Sequence, residues 1–166
     1  MTTATVSGVP QLVALLEAET ALYGELLQLG EQERSAVVAD DPRWLNALVA
    51  DKERVLVEVA RVEAARQDWM AVWTAAHGLP GETSLADLAR RLPAADAARL
   101  NVVRKDLLER VRDVAEMNHR NHELLRSALR IVNRSIEAFS RIGGAGYKPN
   151  GERAPASRTM VLDRRA

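Results

Sequence analysis

Apolar residues along this chain recur three and four apart in long runs, and the runs are separated by glycine, proline or aspartate. From Pro10 to Ala39 the seam Leu12, Leu15, Glu19, Leu22, Leu26, Leu29, Glu33 alternates steps of three and four. That is the spacing of a helix burying a narrow stripe against a partner helix. Pro10 suits the first turn, where its missing N–H has no helical acceptor in any case. Asp40-Asp41-Pro42 interrupts the pattern, offering a side-chain cap and then a proline for the first turn of a second helix. The spacing resumes at Leu45, Leu48, Lys52, Val55, Val59, Val62, Arg66, Trp69 and Trp73 and runs on to His77. Two seams joined by so short a connection predict an antiparallel helical hairpin.

The polar residues inside the two seams predict its register. Facing residues of an antiparallel pair share a constant sum of residue numbers, and Glu33 with Lys52 has the same sum as Glu19 with Arg66. Each acidic interruption of the first seam therefore meets a basic interruption of the second. Such pairs serve chiefly to fix register, because desolvation offsets most of their Coulomb gain.

His77-Gly78-Leu79-Pro80-Gly81 is a stop signal, and Ser84 with Asp87 three residues later reads as the start of a short helix over 85–92 that covers the open end of the bundle. Pro93 ends it. The run over 94–140 has no glycine or proline, and its stripe comprises Leu100, Val103, Leu107, Val111, Val114, Leu125, Ala128, Val132 and Phe139. At 1.5 Å per residue this helix is about 70 Å long. A helix of that length in a chain of this size must present part of its stripe to something else: another helix, a second copy or a bound partner. The predicted fold class is all-α, an antiparallel helical hairpin plus a short helix and one long C-terminal helix. It forms a single three-helix, coiled-coil-like bundle over 1–142, after a disordered leader at 1–9. Helices are expected near 10–39, 42–77, 85–92 and 94–140, with a flexible basic tail over 143–166.

Composition agrees with this picture and narrows the chemistry. Aromatic residues are 4% and charged residues 28% of the chain, a balance that favours long amphipathic helices over a sheet. There is no cysteine, hence no disulfide or thiol chemistry. The first ten residues lack a basic and apolar leader, and no window is apolar enough to span a bilayer, so a cytoplasmic protein without membrane insertion is expected. The formal net charge is zero, but residues 141–166 carry six basic side chains against two acidic ones, a net +4 that leaves −4 on the body. Twenty of the 23 basic residues are arginine, yet acids interleave them, so no basic stripe for nucleic acid forms. Glu116, His119 and His122 resemble a di-iron Glu-x-x-His step, but the second such step is missing, so no metal and no cofactor is expected. No nucleophile setting or phosphate-binding loop is present either, which argues against an enzyme and leaves surface recognition.

Asn118 and Asn121 stand where the seam calls for apolar side chains, a polar layer of the kind that sets register or partner state. Tyr147, beyond Gly143-Gly144-Ala145-Gly146, is an aromatic residue with no structural use in a loose tail; it is either a tether folded back on the bundle or a recognition anchor. Met160-Val161-Leu162 is the one apolar knot in the tail.

Leu12 to Glu19, Lys52 through Arg66, Asn118-x-x-Asn121-x-x-Leu124-Leu125 and Tyr147-x-x-x-Gly151 together resemble the FlgN-type flagellar export chaperones, over roughly Val9 to Gly151. The resemblance implies a type III export chaperone that holds hook-filament junction proteins by C-terminal helical segments and delivers them to the cytosolic domain of the export gate. It implies client binding by Leu125, Leu129, Val132, Ile136 and Phe139, and gate contact by Tyr147. The chain departs from shorter members in its insert around Gly78 to Leu92 and in the glycines before Tyr147. The competing expectation from the residues alone is a coiled-coil scaffold or self-assembling protein whose surplus stripe is a homodimer seam.

Overall fold

The computed structural model describes residues 8–143, with side chains through Phe139. Four helices follow in order, α1 (Val9–Val38), α2 (Pro42–Ala76), α3 (Leu85–Ala89) and α4 (Ala94–Gly143). No strand occurs among the described residues, and the class is all-α. The chain divides after Leu124 into two compact units.

Each helix end has a local cause. Asp41 caps α2, its carboxylate accepting from the backbone N–H of Arg43 at 3.1 Å and of Trp44 at 3.0 Å. Asp40, just before it, takes the left-handed conformation at φ 52°, which aspartate tolerates better than most residues. Beyond the end of α2 at Ala76, Gly78 with φ 64° turns the chain back so that the Leu79 N–H reaches the Thr74 carbonyl at 2.9 Å. The Gly78 N–H reaches that of Ala75 at 3.2 Å, completing a Schellman closure. Ser84 and Asp87 form a reciprocal capping box at the start of α3. The third helix stops at Ala89 rather than continuing to Leu92. The N–H groups of Arg91 and Leu92 bond three residues back instead of four, and Pro93 disfavours helical backbone at the residue before it. The last helix runs to Gly143, three residues beyond the expected end.

Within residues 8–124 the three long helices share two apolar clusters. The first joins Val9, Leu12, Val13 and Leu16 of α1 to Leu88 and Ala89 of α3 and Leu100 and Val103 of α4, with Trp69 and Trp73 of α2 against it. The second joins Leu26, Leu29 and Ala36 to Leu48, Val55 and Val59 and to Val114 and Met117. Contacts therefore advance along α1 and α4 together, so α4 runs parallel to α1 and antiparallel to α2. α3 closes the end of the bundle where α1 begins and α2 finishes.

Candidate functional site

Two polar layers interrupt the apolar clusters. Arg66 Nε donates to Glu19 Oε1 at 2.9 Å, and Lys52 Nζ to Glu33 Oε2 at 2.9 Å. The hairpin thus brings together both charge pairs singled out by their residue-number sum. Glu19 is only 4% exposed, although charged, because Arg66 comes with it into the seam. The second layer gains a third helix. Asn121 Nδ2 donates to the Gly30 carbonyl at 2.7 Å and to Glu33 Oε2 at 3.0 Å, so Lys52, Glu33 and Asn121 tie α2, α1 and α4 into one register. Asn121 is 5% exposed, whereas Asn118 lies on the solvent side of α4. A helix rotates about 100° per residue, so residues three apart diverge by some 60°. Asn121 is on the seam, and the position three residues before it is out of contact with the layer.

The seam of α4 also differs in detail from the stripe expected of it. Met117 is buried, its thioether lying where a Cβ on Gly30 would stand, while Val111 is exposed. Gly30 is what lets the two helices approach there. The signal was present in the spacing, since Met117 lies three after Val114 and four before Asn121, but a methionine next to two asparagines breaks the apolar run.

Of the residues proposed to hold a client, Leu125 is half-buried and the others are exposed: Leu129 at 61%, Val132 at 52%, Ile136 at 57% and Phe139 at 73%. They share one face of α4 at steps of four and three. Ile131, absent from that set, adds further exposed apolar surface. The stretch can do no bond-making chemistry, but it can offer several turns of apolar helix face to a second helix. Tyr147, the tail glycines and Met160-Val161-Leu162 lie outside the described residues.

The histidine cluster has local partners. Glu116 accepts from Arg120 Nη1 at 3.2 Å and His119 Nε2 lies 3.6 Å from Glu123. No group of three or more His, Asp or Glu among the described residues could hold a metal ion. Among the described residues two side chains have shifted pKa values. Burial, then the charges of Glu63 and Glu19, push the Tyr23 hydroxyl above its usual value. Hydrogen bonds from Ser84 and Arg90 hold the Asp87 carboxyl below the usual carboxylate value. Among the described residues no helix is long and apolar enough to cross a membrane.

No curated protein and no solved structure matches the chain. A family model does: the one described as FlgN protein, over residues 1–155. With nearly the whole chain matched, and with a helical hairpin, a long fourth helix and an exposed apolar face in place, the chain belongs to the FlgN family of flagellar export chaperones.

Proposed function

We propose that this flagellar export chaperone acts in the cytoplasm on hook-filament junction proteins. It binds their C-terminal helical segments along Leu125, Leu129, Val132, Ile136 and Phe139, keeps them from assembling early, and delivers them to the export gate. The observation that carries the reading is the exposed face of α4 after Leu124, where four large apolar side chains at seam spacing are exposed. Contiguous apolar surface of this kind marks an interaction site on a soluble protein. A segment awaiting export must be kept unassembled, and an amphipathic helix in that condition needs a temporary apolar partner. Tyr147 is proposed as the gate contact, separate from the client face.

Light-scattering mass, measured on the protein alone and after mixing with a junction-protein C-terminal segment, tests this. The expected result is a monomer that becomes a one-to-one complex, lost in a Leu129→Asp, Ile136→Asp double variant that stays folded. Tyr147→Ala should leave the complex intact and weaken only engagement of the gate. A tight dimer that ignores the segment would instead assign the face to a homodimer seam and the protein to the scaffold class.

A further inference from the structure

The polar side of α4 changes character where its apolar face becomes exposed. Over residues 94–124 six basic side chains are mixed with six acidic ones, with pairs along the helix such as Lys105 with Glu109 at 3.8 Å and Arg120 with Glu116 at 3.2 Å. Over residues 125–143 there are four arginines and a single acid, Glu137. Arg126, Arg130 and Arg134 form no ion pair among the described residues; Arg130 donates instead to Ser127 Oγ at 2.7 Å. The excess continues in the sequence beyond, so that residues 125–166 carry nine basic side chains against three acidic ones.

At about 100° per residue, Leu129, Ile131, Val132 and Phe139 occupy an arc of about 160°, and Arg126, Arg130 and Arg134 an arc of about 80° on the opposite side of the helix. All four apolar side chains are more than half exposed. A protein helix docked on the apolar arc leaves the arginines on its far side, so a helical partner gives no reason for their common sign. A negatively charged bilayer surface does. With the apolar side sunk about 5 Å or more into the headgroup boundary, a helix about 10–12 Å across keeps its far side within the roughly 8 Å Debye length of that surface. The stretch over 125–143, about 28 Å of helix, is long enough to lie on a membrane, and its charges forbid a span.

We propose that residues 125–143 of α4 form a membrane-surface helix that lies on an anionic bilayer. Leu129, Ile131, Val132 and Phe139 enter the boundary between headgroups and acyl chains, and Arg126, Arg130 and Arg134 sit in the negative surface potential. The contact is peripheral and reversible. This inference goes beyond the client reading and does not depend on it. The apolar arc serves one occupant at a time, so the chain without a client is the form that binds the bilayer.

The test sediments the full chain with large vesicles of phosphatidylcholine, alone or with an equal share of phosphatidylglycerol. Binding to the anionic vesicles that weakens as salt is raised is expected, with little binding to the neutral ones. The triple variant Arg126→Gln, Arg130→Gln, Arg134→Gln should lower the partition coefficient about a hundredfold, with circular dichroism verifying that it stays helical. The chain has no cysteine, so a single polarity-sensitive fluorophore can be placed through Ser135→Cys, inside the apolar arc, or Ser127→Cys, beside the arginines. Anionic vesicles should brighten the first label and leave the second nearly unchanged. Failure to sediment with anionic vesicles, a triple variant that partitions like the native chain, or equal brightening at the two labels would each overturn the proposal. A chain that ignores the vesicles yet forms the one-to-one complex with an export client would leave the client reading standing, and the converse result would leave only the membrane helix.

Discussion

Helix α4 carries one rhythm of apolar residues through two stretches with opposite outcomes. From Leu100 to Asn121 the seam positions other than Val111 are buried or half-buried against α1, α2 and α3, and the one deeply buried amide among them is satisfied by the Gly30 carbonyl and Glu33. From Leu125 to Phe139 the same steps of three and four continue, but most of the side chains are exposed. The two stretches differ in composition. The covered stretch carries a buried polar residue, Asn121, with matching partners on α1, and the exposed one carries large apolar residues that the proposed client would cover. Periodicity thus says where a stripe lies, and only the polar interruptions say whether this chain itself supplies the other side.

The largest effect that could break this comparison is a pair of truncations with the same chemistry. Leu100→Ala removes a side chain with no exposed surface in the first cluster and should lower stability by about 2–5 kcal/mol, through lost burial and a residual cavity. Leu129→Ala removes one that is already in solvent and should shift stability by no more than about 0.5 kcal/mol while weakening client binding. Urea midpoints read the first quantity and titration with a client segment the second. Equal destabilisation by both would mean that the chain buries Leu129 in solution, and the client face would have to be sought elsewhere.

Much of the covered region is legible in the spacing of residues alone. The hairpin, its register and the run of α4 follow from the seams, because Glu19 with Arg66 and Glu33 with Lys52 are rare interruptions and each finds its opposite. The capping box of Ser84 and Asp87 is legible for the same reason, as a short-range pattern with one physical meaning. Three features are not. The third helix ends early because backbone bonding at Arg91 and Leu92 yields to Pro93, a competition within a single turn. Asn118 looks equivalent to Asn121 in the sequence, and only the rotation of α4 against Gly30 separates them. A cavity lined by Tyr23, Val59 and Leu107 also stays hidden, because it depends on where four helices stop packing.

A smaller effect sharpens the covered side at two glycines of α1. Gly24 has nothing within 4 Å of where a Cβ would stand, so Gly24→Ala should stabilise by about 0.5–1 kcal/mol through helix propensity alone. At Gly30 the added methyl would overlap the Met117 thioether. Methionine is adaptable, but this one is 3% exposed in the second cluster, so overpacking of about 1–3 kcal/mol should exceed the propensity gain. Opposite signs in the two melting temperatures are expected. If Gly30→Ala also stabilised the protein, the close approach of α1 to α4 would be looser than described, and the Asn121 bond to the Gly30 carbonyl with it.

The smallest effect concerns Tyr23, which lines a cavity of about 320 Å³ with Glu19 and Arg66. Burial raises the pKa of its hydroxyl, the negative charges of Glu63 and Glu19 raise it further, and Arg66 opposes them. The folded chain therefore holds this proton more tightly than the unfolded chain, whose tyrosine titrates near 10. The corresponding stability is fully present below about pH 10 and is lost as pH rises through the higher folded value, because there the unfolded state releases the proton first. Tyr23→Phe removes that linkage. Urea midpoints taken on the two proteins across the alkaline range should fall more steeply for the native chain than for the variant, and the gap in slope should close below pH 10. Parallel slopes would mean that Tyr23 is as solvated folded as unfolded, and that the space beside Glu19 and Arg66 is open water.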